Sequence, residues 1–164
     1  METLEIPSET TTQAPAELAR YFRISSRTHH GIVFAAELAR ATAHERPVAI
    51  VTIADRMGLS AGYLEELARC LREGGIIRGS RGRHGGYRLA KSPERITMGE
   101  LVRLLDGPVL LAHCQDTGIS MPCPAQASCA SRFFFHRLKM VIDRELDATT
   151  LADLFAGEGS HRSV

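Results

Sequence analysis

The stretch that most constrains this chain runs from Thr52 to Ala90, TIADRMGLSAGYLEELARCLREGGIIRGSRGRHGGYRLA. Leu64, Leu67, Ala68 and Leu71 recur at helical spacing, which predicts an amphipathic helix with one face on a core. Ser60 is placed to cap its start, and Gly74-Gly75 to stop it. A shorter helix precedes it. Thr52-Ile-Ala-Asp55 reads as a capping box, with the threonine on the third amide and the aspartate reaching back, and Gly58 suits the C-terminal end. Two helices joined by a tight glycine-containing turn form a helix-turn-helix. Two β-prone runs follow, Ile76-Ile77-Arg78-Gly79 and Tyr87-Arg88-Leu89-Ala90, on either side of SRGRHGG, whose glycines permit a tight reversal. A helix-turn-helix continued by a basic hairpin is a winged helix. In that fold the second helix enters a DNA major groove and the wing lies along the backbone or minor groove.

Charge agrees with this geometry. The whole chain carries a formal +1. Between Arg69 and Arg95, eight basic residues (Arg69, Arg72, Arg78, Arg81, Arg83, Arg88, Lys91, Arg95) face only Glu73 and Glu94, a local +6 that leaves −5 for the rest. A charged run is usually a solvated face, but here the winged helix collects it on one side, as a nucleic-acid contact surface requires. Ser60, Gly62, Tyr63 and Glu65 fall at the DNA-facing start of the second helix, where Glu65 can accept from a cytosine amine. Arg81, Arg83 and His84 project from the wing.

Around this unit the chain reads as mainly helical. Residues 1–15 are rich in Thr, Glu, Pro and Gln and are expected to form a disordered leader. A helix is expected over roughly 28–43 with Ile32, Ala35, Ala36, Leu38 and Ala39 on its apolar face, broken before Pro47. Thr97 with Glu100 forms a second capping box, opening a helix through Leu105 that stops at Asp106-Gly107. A long helix covers residues 131–146, with Phe134, Leu138 and Val141, and also Phe135, Ile142 and Leu146, in helical register. That face is wider than a small winged-helix core needs, so a dimerisation helix is expected. Thr150 with Asp153 opens a final short helix ending near Gly157. The expected division is therefore a leader at 1–15, a winged helix-turn-helix at 16–107 and a cysteine loop at 108–130. The dimerisation and terminal helices follow at 131–157, and a tail at 158–164. The N-terminus lacks the basic and apolar regions of a signal peptide, and no apolar run is long enough for a bilayer, so a cytoplasmic protein with no membrane partner is expected.

Three of the four cysteines lie within HCQDTGISMPCPAQASC, spaced Cys114-x8-Cys123-x5-Cys129. In a cytosolic chain, clustered thiols bind metal or sense redox state more often than they form structural disulfides. Thiolates ligate both iron–sulfur clusters and zinc, and a loop lets sulfurs converge. The spacing is not C-x2-C, which disfavours a zinc ribbon; cluster and zinc both remain open, with unliganded thiols third behind them. Cys70, on the second helix of the helix-turn-helix, reads as a small packing residue.

From about Phe22 to Phe155 the sequence resembles the IscR/NsrR/RirA family of bacterial winged-helix regulators. The likeness rests on S-x-x-Y-L-E at Ser60–Glu65, on R-G-x-x-G-G-Y-x-L at Arg81–Leu89, and on three cysteines before the long helix. The resemblance implies a homodimeric transcription factor on operator DNA, without enzymatic activity. It also implies an iron–sulfur cluster, [2Fe–2S] or [4Fe–4S], on Cys114, Cys123 and Cys129. IscR-like members place a histidine three residues after the last cysteine; Arg132 stands there, and a guanidinium is no iron ligand. The NsrR-like branch instead takes a side chain from the partner's first helix. That correspondence makes His29 the first candidate for the fourth ligand and His30 the second, with His136 and His113 as the others. The alternatives are a zinc-stabilised or cluster-free thiol regulator of the same fold, and a redox iron–sulfur protein. The last is disfavoured because the chain has no nucleotide-binding or paired-carboxylate motif.

Overall fold

The structure, a computed structural model, describes residues 24–41, 47–82, 85–112, 115, 123, 125 and 128–156. Its elements in order are α1 (Ser26–Ala41), α2 (Ile50–Met57), α3 (Ala61–Glu73), β1 (Ile77–Ser80) and β2 (Gly86–Leu89). A 3-10 turn (Pro93–Arg95) leads to α4 (Met98–Asp106), and α5 (Arg132–Ala148) and α6 (Asp153–Ala156) follow. Among the described residues the chain is mainly α with one two-stranded antiparallel hairpin, Ile77 pairing with Leu89 and Ser80 with Gly86.

Local chemistry accounts for most boundaries. The Ser60 hydroxyl accepts from the Tyr63 amide at 3.2 Å and starts α3. Thr97 does the same for Glu100 at 3.0 Å. Thr150 and Asp153 exchange hydrogen bonds at the head of α6. Gly58 closes α2 at φ 64°, a left-handed conformation that glycine adopts without strain.

The Thr52–Asp55 capping box does not form. α2 begins two residues earlier, with Ala49 at the cap position and no side-chain cap. The reason is tertiary: Val48 pairs with Tyr87 through two 2.9 Å backbone hydrogen bonds, which fixes the chain direction just before Ala49. The turn starts where that pairing ends, and Thr52 lies exposed inside the helix.

One core unites these elements. Phe34 and Leu38 from α1, Ile53 from α2, Leu64, Leu67 and Leu71 from α3, Ile76 before β1, and Leu101 and Leu105 from α4 are all buried in it. The first helix therefore turns Phe34 inward, a residue outside the expected apolar face, while Ile32, Ala36 and Ala39 are only partly buried around it. Cys70 packs at the core edge and its thiol donates to the Leu104 carbonyl at 3.5 Å, as a packing residue should.

The C-terminal arm is pinned to this unit at one end. The Met98 amide donates to Thr149 O and the Leu151 amide to Ile96 O, both at 2.8 Å, and Arg103 on α4 pairs with Asp147 on α5. None of the seventeen residues of α5 is buried. Phe135, Ile142 and Leu146 face inward and are half-buried, whereas Phe133, Phe134, Leu138, Met140 and Val141 are exposed.

Candidate functional site

Two sites emerge. The first is the face formed by α3 and the hairpin. Ser60 caps α3 and Gly62 lies exposed beside it, with no atom within 4 Å of where a Cβ would sit. Tyr63, half-buried, places its hydroxyl 3.2 Å from His30 Nδ1 on α1, with the two rings edge to face. Glu65 is exposed but engaged: it accepts a 2.7 Å hydrogen bond from the Tyr87 hydroxyl on β2. Arg81 is exposed on the wing, while Arg83 and His84 lie outside the described residues. A cleft of about 500 Å³ opens between the head of α2, α3 and the hairpin, with Ile50, Glu65, Arg72, Ser80, Arg81 and Tyr87 among its walls.

The basic residues are not equivalent. Arg78 donates to the Ala90 carbonyl at 2.8 Å, Lys91 pairs with Glu100 at 2.5 Å, and Arg69 lies 3.7 Å from Glu73. Arg81, Arg88 and Arg95 are exposed and make no ion pair among the described residues, which leaves them for a polyanion. The sequence pattern counted Arg72 among the basic residues of this face but did not bring Tyr87 or the head of α2 beside Glu65. Only folding brings them to Glu65, although the aromatic after the paired glycines was a visible signal.

The second site is the loop before α5. Cys123 and Cys129 are free and half-buried, and Cys114 and His113 lie outside the described residues. Cys129 sits just before α5, with its sulfur 3.3 Å from Ser131 Oγ. Hydrogen bonds from the Ser131 hydroxyl and amide, with further help from the Arg132 amide and charge, hold the Cys129 thiol below its ordinary value of 9.0. An easily formed thiolate is what iron or zinc requires, so this donor fits such a group. Gln115 fastens the near end of the loop: its side-chain carbonyl accepts from the Leu111 amide at 2.9 Å and its NH2 donates to Phe135 O on α5 at 3.0 Å. Among the described residues no three His, Cys, Asp or Glu side chains converge as a metal site. His29 is exposed on α1 and His136 exposed on α5.

Residues 24–157 match the model of the Rrf2 family, described as an iron-dependent transcriptional regulator. The chain belongs to the Rrf2 family. Protein rrf2 of Nitratidesulfovibrio vulgaris is 35% identical over 132 residues, covering 80% of this chain and 86% of that protein. CymR, the global cysteine regulator of B. subtilis, superposes with a TM-score of 0.65 at 32% identity over 81% of this chain and 95% of its own. T. potens IscR superposes at 0.64 with 29% identity, covering 89% and 95% respectively. The protein is therefore a transcriptional regulator of the Rrf2 family and not an enzyme, with the winged-helix fold of its solved neighbours. Among the described residues no helix is long and apolar enough to cross a membrane.

Proposed function

We propose that this Rrf2-family protein is a homodimeric, cytoplasmic, sequence-specific DNA-binding regulator whose hold on operator DNA is set by an iron–sulfur cluster on Cys114, Cys123 and Cys129. The observation that carries this reading is the double role of α5. Cys129 stands at its head, Gln115 beside the first cysteine of the loop is tied to its Phe135 carbonyl, and its outer face leaves Phe133, Phe134, Leu138, Met140 and Val141 open. Phe134, Leu138 and Val141 recur at i, i+4 and i+7, and an exposed apolar stripe of this kind is covered by another protein surface, here a second copy. The cysteine loop and the dimer seam thus share one rigid helix, and α5 packs on α4, which packs on α3.

When bound, the cluster would supply a centre whose occupancy and charge respond to iron supply, oxidants or nitric oxide. The chain's own part is to present thiolates and a fourth ligand. His29 of the partner subunit is the first candidate, because His30 is turned toward Tyr63 while His29 is exposed. His30, His136 and His113 follow. Arg81, with Arg83 and His84, would hold the DNA backbone from the wing, while Ser60, Gly62, Tyr63 and Glu65 approach the bases.

A second reading has its own support. The lowered Cys129 thiol is also what a cluster-free, thiol-based regulator would need, and the solved relatives include the oxidised form of Staphylococcus aureus CymR. The absorption spectrum and metal content of anaerobically purified protein distinguish the two. Visible iron–sulfur bands with iron and sulfide support the cluster. Colourless protein with zinc, or with no metal, supports the second reading.

A further inference from the structure

Tyr87 lies where three elements meet. Its backbone pairs with Gly79 across the hairpin and, on its other edge, with Val48 ahead of α2. The second pairing depends on Gly86, where a Cβ would come within 2.3 Å of the Val48 carbonyl oxygen. The Tyr87 ring stands edge-on to Phe34, centroids 6.3 Å apart at 82°, and Phe34 is fully buried in the core. A ring fixed by two backbone pairings and a core aromatic has little freedom left. Its hydroxyl points at α3 and donates to Glu65 Oε2 at 2.7 Å. Burial and the Glu65 carboxylate together push the Tyr87 phenol above its ordinary value of 10.0, so it stays a donor throughout the physiological range.

We propose that Tyr87 is a specificity-determining positioning residue: it holds one carboxylate oxygen of Glu65 and leaves the other to accept from a base edge, so that sequence preference at that base pair depends on a tyrosine that does not itself read DNA. This rests on the DNA-binding reading given above. Two features of the site favour it. Glu65 is exposed, and a free glutamate samples several rotamers whose loss opposes binding; a glutamate already held in place does not incur that loss. Arg72 lines the same cleft and, with Glu65 released, offers the carboxylate a competing partner.

The test uses the full chain, purified anaerobically as the dimer, and a library of randomised DNA duplexes. Wild-type protein selects a half-site, and relative affinities for each single base-pair change are then measured for wild type, Glu65→Ala, Tyr87→Phe and the double variant. Tyr87→Phe keeps the ring on Phe34, and an unchanged thermal midpoint certifies the fold. Both single variants are expected to lose most of the discrimination, about tenfold, at the same base pair. The slope of affinity against salt should stay unchanged, and Tyr87→Phe should add nothing in the Glu65→Ala background. Wild-type preference retained in Tyr87→Phe, an equal loss on every sequence, or additive effects in the double variant would overturn the inference. A wild-type protein that enriches no sequence would instead defeat the DNA-binding reading, and this inference with it.

Discussion

Cys123 and Cys129 differ in how the fold treats them, because only Cys129 receives the hydrogen bonds of a helix head. A shared cofactor nevertheless makes them equivalent in outcome. Cys123→Ala and Cys129→Ala should each lose bound iron and sulfide while circular dichroism and thermal midpoint stay near wild type, since the core lies elsewhere. Full iron and sulfide in Cys123→Ala contradicts the shared site. The histidine pair separates by role: His29→Ala should alter the visible spectrum, whereas His30→Ala should leave it and weaken DNA binding through Tyr63. The opposite pattern would exchange their assignments. Asp106 provides a purely structural case. Burial alone would raise its carboxyl, but hydrogen bonds from the Ser25 hydroxyl at 2.7 Å and the Ser25 amide at 3.2 Å outweigh that and hold it below 3.8, with help from Arg27. The buried Thr28 hydroxyl also lies near this carboxylate, too loosely for a full hydrogen bond. A lowered folded-state value means that the interaction stabilises above the ordinary carboxylate range and is lost as pH falls through that lowered value. Asp106→Asn should therefore cost about 1 kcal/mol in urea unfolding at pH 7, allowing for its exposure, with the difference closing as pH falls below the ordinary carboxylate range and through the lowered value. A pH-independent difference would rule out that origin.

At the level of elements, what the sequence could show was local. Ser60, Thr97 and Thr150–Asp153 were legible as caps because a cap is decided within four residues. The leucine rhythm of α3 and the glycine stop of α2 were legible for the same reason. The start of α2 was not, since Val48 and Tyr87 are 39 positions apart and their pairing overrides the Thr52 signal. Nor was the engagement of Glu65, which looked free on its helix and is held from β2. The cysteines were legible as a group, yet spacing alone could not choose among cluster, zinc and bare thiols. The pairing that moved α2 can be tested. Gly86→Ala drives a methyl into the Val48 carbonyl and should cost about 1–3 kcal/mol of unfolding free energy, with amide exchange rising at Val48 and Tyr87. A cost below about 0.5 kcal/mol would show that the pairing yields without consequence.

On the scale of the whole molecule, the account requires two copies joined along α5 with their α3 helices spaced for successive major grooves, about 34 Å apart. Leu138→Asp, which adds a charge to the open stripe without touching the core, should shift the protein toward monomer in sedimentation and weaken operator binding. An unchanged dimer would place the seam elsewhere. Because α5 carries the cysteine loop at one end and is pinned beside α4 at the other, the state of the loop should reach the reading helices through a small rigid displacement. The decisive measurement is the affinity of one anaerobic preparation for its selected operator, taken with the cluster present and again after its removal by chelation. The account predicts a change of about tenfold or more in the wild type and none in Cys129→Ala. Equal affinities in the two states, for a protein that demonstrably held and lost its iron and sulfide, would contradict it.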